Sequence, residues 1–240
     1  MKKLFLTCLM FLTGCAVSQE NTFSPDSPEG LYLMAYKEFK ETNYPKAIEN
    51  FDQVEQLFPY SPWAERAQIM AAYTHYVQNE YTDALLALDR FLQLHPGNRN
   101  VPYALYLKAL CYFEQMSDPL REQQMSADAE KVFRELLVRF PNTVYANDAK
   151  EKLIAIKNHL AAKELAVGRY YQKNEDYIAA MNRFQNAIRD WPESNQIPEA
   201  YYRLAVCYKA LGMTKQMGQV RNKLKQKFPE SVWTKRVQKI

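Results

Sequence analysis

The chain has 240 residues, 24% of them charged, which is long enough for one extended domain or two compact ones. Its formal net charge is +4, and it falls to +2 once Lys2 and Lys3 are removed with the leader described below. A nucleic-acid-binding protein needs clustered basic residues on one face. The small positive net charge of this chain therefore predicts no nucleic-acid partner.

The first fourteen residues are a predicted signal peptide. A short basic head precedes an apolar run that is too short to span a bilayer, which takes about 20 apolar residues. The run closes with Leu12-Thr13-Gly14-Cys15. This closing run resembles the bacterial lipobox, whose cysteine receives a diacylglycerol on its sulfur and an acyl chain on its nitrogen. We therefore expect Cys15 to be lipidated; an ordinary signal peptide with an incidental cysteine is the alternative.

The residues after the leader bear on location and mobility. Ala16 stands where an aspartate would retain a lipoprotein at the inner membrane, so the resemblance implies the periplasmic face of the outer membrane. The next residues are mainly Ser, Gln, Asn, Asp and Pro, which cannot bury much surface. We predict that residues 15–27 are a flexible tether between the lipid and the folded domain.

An aromatic residue or histidine followed by proline recurs five times, at intervals of 37, 45, 51 and 37 residues. The pairs are Phe58-Pro59, His95-Pro96, Phe140-Pro141, Trp191-Pro192 and Phe228-Pro229. In three copies Tyr-x-x-Ala-x-x-x-Phe or Leu precedes the pair, a spacing that puts these side chains on one helical face. Such a helical hairpin cannot bury its own apolar face. We therefore predict an all-α fold, a superhelical solenoid of five tetratricopeptide-like helical hairpins.

Proline ends each second helix, and in four copies a Ser or Thr two residues later is placed to cap the next one. The predicted pairs are 28–42 with 44–58, 62–79 with 81–94, 99–116 with 126–140, 144–174 with 177–191, and 195–212 with 214–228. The helix over 144–174 is predicted to be long, and Gly168 is a candidate for a bend in it. It begins the C-terminal repeats 4–5 (143–240) and bridges them to the N-terminal repeats 1–3 (28–142).

The sequence contains no motif for catalysis, phosphate binding or metal binding. Its three histidines, His75, His95 and His159, fall on different predicted elements. Cys111 and Cys207 each lie fifteen residues after a repeat proline, where a small apolar residue suits close helix packing. We predict that both cysteines are buried free thiols. We also predict no catalytic residue, no metal and no cofactor other than the covalent lipid, so the protein is not an enzyme.

Short strings along the repeats carry a family resemblance. They include Tyr44-Pro45-Lys46-Ala47-Ile48, Phe58-Pro59-Tyr60-Ser61, Leu88-Asp89-Arg90-Phe91, Tyr106-Leu107-Lys108-Ala109-Leu110 and Asn182-Arg183. In this order, and with the lipobox, the chain resembles the BamD family of lipoproteins of the outer-membrane β-barrel assembly machinery. The resemblance implies a non-catalytic scaffold that promotes barrel folding and insertion. Asn174-Glu175-Asp176-Tyr177 departs from the family, which commonly has a glycine-containing turn there.

The resemblance implies a substrate face on the N-terminal repeats, which would receive the C-terminal targeting strand of an unfolded outer-membrane protein. The matching positions are Lys46, Phe58, Tyr60 and Arg90. Such a strand ends in an aromatic side chain and a carboxylate, which an aromatic-plus-cation surface complements. For Phe58 a place in the core is an equal alternative, and for Lys46 a solvated position.

The resemblance also implies that the C-terminal repeats bind a periplasmic domain of the barrel subunit BamA. The candidate residues are Arg183, Asn186, Arg189 and Arg169. BamC and BamE, where present, would bind other surfaces. One alternative is a different tetratricopeptide lipoprotein of the outer membrane, serving pilus secretin assembly or cell-wall constriction. A purely structural tether is another.

Overall fold

The computed structural model describes residue 24, residues 26–118 and residues 124–240. The predicted signal peptide, the predicted lipidation site Cys15 and most of the predicted tether lie outside these ranges. Within them the chain forms eleven α-helices and no β-strand, which confirms the predicted all-α fold. None of the described helices is both long enough and apolar enough to cross a membrane.

The helices follow one another as hairpin pairs. In chain order they are α1 (Pro28–Lys40), α2 (Tyr44–Leu57), α3 (Pro62–Val77), α4 (Tyr81–Leu94), α5 (Val101–Glu114), α6 (Gln124–Arg139), α7 (Tyr145–Lys173), α8 (Tyr177–Asp190), α9 (Ile197–Ala210), α10 (Thr214–Lys227) and α11 (Val232–Val237). The first ten match the five predicted pairs to within two residues at each end, so the predicted solenoid of five hairpins is confirmed.

The short helix α11 is missing from the predicted set of five hairpins. Ser231 begins it by accepting a hydrogen bond from the Trp233 N–H at 3.2 Å. Ser61 begins α3 in the same way, accepting from the Trp63 N–H at 3.1 Å. The Pro-x-Ser signal after the fifth repeat thus starts a further helix, which packs on α9 and α10 and covers the end of the solenoid.

The packing order makes the stack a superhelix. Each helix contacts the next one in the chain, and the odd-numbered helices α1, α3, α5, α7, α9 and α11 also contact one another in succession. Among the described residues, the even-numbered helices do not pack on one another in this way. This holds for α2 with α4, α4 with α6, α6 with α8 and α8 with α10. The odd-numbered helices therefore form the tightly stacked side, and gaps open between the even-numbered ones.

The repeated small and large residues form the core. Ala47, Ala84 and Ala180, the alanines of the repeat motif, are fully buried where helices meet. The large residues four positions later in the repeats are also fully buried: Phe51, Leu88, Phe133 and Phe184. Burying one such side chain contributes about 1.5–3 kcal/mol, so this position is a main source of stability in each repeat.

The buried side chains fall into three clusters, which cover residues 31–71, 69–160 and 165–237. The predicted long helix is confirmed as α7, whose 29 residues extend about 44 Å. Ile156 of α7 belongs to the middle cluster, and Leu165 of the same helix belongs to the C-terminal cluster. The division of the chain into residues 28–142 and 143–240 stays a prediction.

Helix α7 continues through Gly168, and the structure gives this glycine a packing role. A Cβ atom built at Gly168 would lie 2.5 Å from Cε1 of Phe184 in α8. Real Cβ contacts are longer than this, so only glycine lets the Phe184 ring lie against α7. The ring is itself fully buried in the C-terminal cluster.

The hairpin turns share a strained residue two positions before the second helix. It has a positive φ in four hairpins: Thr42 (61°), Asn79 (61°), Glu175 (62°) and Gly212 (72°). Asparagine and glycine tolerate this left-handed conformation, whereas the β-branched Thr42 is unusual there. Glu175 stands in the turn where the family commonly has glycine.

We expect Gly168→Ala to lower the free energy of unfolding by about 1–3 kcal/mol, because the added methyl group must displace a packed ring. Gly218→Ala in α10 is the matched control, since nothing lies within 4 Å of a Cβ at Gly218. The control should raise stability by up to about 1 kcal/mol through helix propensity. Urea unfolding followed by circular dichroism measures both, and similar shifts in the two variants would contradict the packing role.

We expect Thr42→Gly to raise the free energy of unfolding by about 1 kcal/mol, because glycine adopts the left-handed turn without strain. Gly212→Ala should lower the free energy of unfolding by a similar amount. The substitution places a side chain in the left-handed turn before α10, and so introduces there the strain that Thr42→Gly relieves in the first turn. Thermal unfolding midpoints provide the measurement. An unchanged midpoint for Thr42→Gly would mean that the first turn is not strained.

Candidate interaction surfaces

The first candidate surface is a groove in the gap between α2 and α4. Its volume is about 390 Å³, and its walls are Asp52, Glu55, Gln56, Pro59 and Arg90. Of the four predicted substrate-binding residues, Arg90 lines this groove. Because the backbones of the second helices of the first two repeats do not pack against each other, the groove follows directly from the way that the repeats stack.

An ion pair crosses the groove. Arg90 Nη2 donates to Glu55 Oε1 at 2.5 Å, with 62% of the arginine side chain exposed but only 18% of the glutamate. Asp52 is exposed and lies on the same helix as Glu55. Partial burial raises the pKa of Asp52, and the nearby charge of Glu55 raises it further. His75 and Arg90 lower this pKa and so oppose the rise. The groove therefore holds two carboxyl groups and one guanidinium.

The other three predicted residues lie at different places around α2. Tyr60 is fully exposed and follows Pro59 at the rim of the groove. Phe58 is half-buried and packs against the N-terminal cluster. Lys46 pairs with Glu49 at 2.8 Å near the other end of α2. Of the four predicted residues, Arg90 thus lines the groove and Tyr60 follows a groove residue, whereas Phe58 packs on the N-terminal cluster and Lys46 lies apart.

Three exposed leucines border this region and were not among the predicted residues. Leu57 ends α2, and Leu86 and Leu94 lie one helical turn on either side of Arg90; their exposed fractions are 63%, 72% and 55%. Leu57 and Leu94 share a repeat position, the one before the aromatic or histidine. The last three repeats have charged residues there: Arg139, Asp190 and Lys227. An alignment of the five repeats would have revealed this apolar patch, because only the first two have leucine at this position.

The second candidate surface lies where α8 packs on α7. Glu164 of α7 is buried, and Arg183 Nη1 approaches its two carboxylate oxygens at 3.3 and 3.4 Å. Asn186 Nδ2 donates to the same carboxylate at 3.5 Å. The Arg183 side chain remains 41% exposed. Two of the four residues predicted to bind the barrel subunit are thus neighbours, joined by a buried acid that was not among the predicted site residues.

Arg169 belongs to a separate network. Glu199 of α9 accepts hydrogen bonds from Arg169 Nη1 at 2.9 Å and from Arg203 Nε at 2.5 Å. Burial opposes ionisation of Glu199, but the hydrogen bonds from Arg203 and Arg169 outweigh it and hold the pKa of Glu199 below its usual value. The network therefore stabilises the fold at neutral pH, and this stability is lost as the pH falls through that lowered pKa.

Arg189 lies apart from both networks, in an exposed ion pair with its neighbour Asp190 at 2.7 Å. It also lines a groove of about 250 Å³ between α8 and α10, the C-terminal counterpart of the α2–α4 groove. The apolar floor of this groove includes Ile188, Leu204 and Val220.

Within the described part of the chain, one group of side chains has metal-ligating atoms close together. The atoms belong to His75, Glu80 and Asp83 and lie within 4.8 Å of one another, and His75 Nδ1 and Glu80 Oε2 are already hydrogen-bonded at 2.8 Å. The prediction that Cys111 and Cys207 are buried free thiols is confirmed. Burial raises the pKa of the Cys111 thiol to about 12 and that of Cys207 to about 11, so both stay protonated.

Comparison with known proteins identifies a family. A family model described as "YfiO: Outer membrane lipoprotein" matches residues 25–224. A Caulobacter vibrioides protein named "Outer membrane protein assembly factor BamD" is 38% identical over 225 residues, covering 92% of this chain and 74% of the relative. A protein of the same name from Neisseria meningitidis serogroup B is 34% identical over 252 residues, covering 98% of this chain and 94% of the relative.

Among solved structures, the TPR2AB domain of yeast Sti1 in its pHSP90 complex is similar, with a TM-score of 0.45. It is 14% identical and aligns over 86% of this chain and 80% of that chain. The fold assignment rests on the helix pairs described above and not on this likeness. The matched family model spans nine whole helices and most of α10, and the two relatives cover over nine-tenths of the sequence. The chain belongs to the BamD family of outer-membrane lipoproteins.

Proposed function

We propose that this protein is a non-catalytic scaffold of the β-barrel assembly machinery, held at the periplasmic face of the outer membrane by lipid on Cys15. Its N-terminal repeats bind unfolded outer-membrane proteins, and its C-terminal repeats bind a BamA-type barrel subunit, which promotes barrel folding and insertion. Accessory lipoproteins of the BamC and BamE type bind outside these two surfaces. The family description and the names of the relatives support the role in assembly.

One observation carries the substrate-binding half of this proposal: a cation lines the α2–α4 groove, and an exposed ring and exposed apolar side chains lie next to groove residues in the chain or one helical turn away. Arg90 supplies the guanidinium, Tyr60 the ring, and Leu57 and Leu94 the exposed apolar area. An extended strand that ends in an aromatic residue and a carboxylate complements all three. Aromatic and arginine side chains are also the residues that most often dominate binding energy at interfaces.

Glu55 sets the strength of this binding. An entering carboxylate has to replace Glu55 as the partner of Arg90, while Asp52 keeps a second acidic group nearby. Ion pairs with an exposed partner contribute only about 0.2–1 kcal/mol, so the exchange changes the free energy little. Weak, reversible binding suits a factor that passes its substrate on to a barrel subunit.

The exposed side of Arg183 supports the partner-binding half. Among the described residues, its contacts with Glu164 use Nη1 alone, and a guanidinium has five N–H donors. Glu164 therefore orients the guanidinium from within, while the remaining donors are available to a partner carboxylate from outside. Asn186 beside it adds a second polar group on the same helix face.

We expect Arg90→Gln to weaken the binding of a peptide that ends in a phenylalanine carboxylate by about 3- to 10-fold, because a charge-assisted contact is lost. Glu55→Gln should tighten binding by a similar factor, since it frees Arg90 and removes a negative charge. Fluorescence anisotropy with the labelled peptide provides both affinities.

Arg134→Gln is the control for Arg90, because Arg134 is also exposed and paired with a partly buried glutamate, Glu130 at 2.5 Å, but lies outside the groove. It should leave the affinity unchanged. Amidating the carboxylate of the peptide should abolish the difference between parent and Arg90→Gln. Weaker binding by Glu55→Gln would contradict the assignment of the groove.

We expect Arg183→Leu to abolish co-purification of a barrel protein with tandem periplasmic domains from the native envelope. It should also lower the free energy of unfolding by about 1–2 kcal/mol, because Glu164 is left buried without its cation. Adding Glu164→Gln to Arg183→Leu should restore the free energy of unfolding without restoring the partner. Mass spectrometry of the purified material shows whether the partner is present, and urea unfolding measures the stability.

Arg139→Leu is the control for Arg183, since its exposed fraction is 42% and it pairs with Glu135 at 2.5 Å. This variant should retain the barrel partner. If the variant that lacks both Glu164 and Arg183 regains the partner, then Arg183 acts only through stability. If even the parent protein retrieves no such barrel protein, the proposed function as a whole is wrong.

A further inference from the structure

Positive charge is concentrated at the C-terminal end of the chain. Residues 214–240 contain eight lysines and arginines and a single glutamate, a net side-chain charge of +7. Because the whole chain carries +4, residues 1–213 carry a net −3. An asymmetry of this size between segments indicates an electrostatic partner for the basic segment.

Seven of these basic side chains are exposed on α10, α11 and the residues that follow. We call them the basic end: Lys215, Lys223, Lys225, Lys227, Lys235, Arg236 and Lys239. In the part of the chain that the structure describes, none of them lies within 4.0 Å of a carboxylate. The arginines Arg169, Arg183 and Arg189 on α7 and α8, by contrast, each have an acidic partner. The basic end is thus not neutralised by its own fold.

The fold leaves the basic end exposed, with apolar side chains beside it. Val220 and Leu224 of α10 are buried in the C-terminal cluster, which leaves the lysines on the rest of the helix circumference. Beside them the Arg236 guanidinium lies 4.6 Å from the centre of the Trp233 ring, and Val232 is 53% exposed. An indole and an aliphatic side chain among cations are typical of surfaces that rest at a membrane interface.

We propose that the basic end is an electrostatic docking surface for the anionic phospholipid headgroups of the membrane that the family occupies. Each lysine or arginine close to an anionic bilayer strengthens binding about fivefold, within about a Debye length of the surface. An acidic protein would explain the charge alone, whereas a membrane also accounts for exposed Val232 and for the part of the Trp233 ring that the C-terminal cluster leaves uncovered. The inference rests on the outer-membrane location of the family, and not on the two binding faces proposed above.

The basic end complements the lipid proposed at Cys15. Lipid and basic end lie at opposite ends of the sequence, so together they give the solenoid two attachments. One lipid attachment alone would leave the orientation of the domain unfixed, whereas a second contact holds it along the membrane. Lipid anchors are commonly combined with a polybasic patch for the same physical reason.

The test uses a chain that begins at Ala16 and so has no lipid of its own. All the buried side chains of the three clusters lie between residues 31 and 237, so this chain keeps every one of them. We expect it to sediment with vesicles of phosphatidylethanolamine and phosphatidylglycerol but not with phosphatidylcholine vesicles. Salt at about 1 M, where the Debye length is about 3 Å, should release it.

A variant that combines Lys215→Gln, Lys223→Gln, Lys225→Gln and Lys227→Gln should bind the anionic vesicles at least about tenfold more weakly, because four contributions are removed. The matched control combines Lys40→Gln, Lys131→Gln, Lys150→Gln and Lys173→Gln, which are also exposed and change the net charge equally. The control should bind like the parent, and circular dichroism checks that both variants are folded.

Two results would overturn the proposal. An equal loss of vesicle binding in both variants would mean that net charge, and not the basic end, drives the association. Binding to soluble poly-glutamate without binding to the phosphatidylglycerol vesicles would assign the basic end to an acidic protein partner instead.

Discussion

Helices in this protein meet at alanine and glycine, and most of its architecture depends on that close approach. Ala47, Ala84 and Ala180 allow one helix to lie against the next, and the large residue one turn later fills the space that remains. Where α7 meets α8 even a methyl group is too large, and Gly168 admits the Phe184 ring. Tight stacking on the odd-numbered side leaves gaps on the other side. The α2–α4 and α8–α10 grooves are two of those gaps.

Local signals made the helices predictable. Prolines, capping hydroxyl groups and the spacing of apolar residues act within a few positions of one another, so the ten long helices follow from the sequence. The short α11 has the same serine cap but no second helix, and a search for whole repeats misses it. The packing role of Gly168 depends on a ring sixteen residues away, which local patterns do not specify.

The candidate sites were less predictable, because their chemistry joins residues far apart in the chain. Arg90 could be named from the sequence, but its partner Glu55 is 35 positions away. In the same way, Arg183 is tied to Glu164 across 19 positions. Such acidic partners decide whether an arginine is free to bind a ligand, is held by contacts within the fold, or is held on one side and free on the other. The exposed leucines and the basic end needed only a comparison of repeats and of segment charges.

The long helix α7 enters two of the three buried clusters, which couples the stability of the repeats on either side of it. The middle and C-terminal clusters share one continuous backbone, so opening either of them disturbs a helix that the other needs. The N-terminal and middle clusters share α3 in the same way, because Ala67 and Ala71 belong to the first cluster and Ile69 and Ala72 to the second. Because shared helices link the three clusters in series, we expect local unfolding to begin at the ends of the solenoid, where a hairpin packs against a neighbour on one side only.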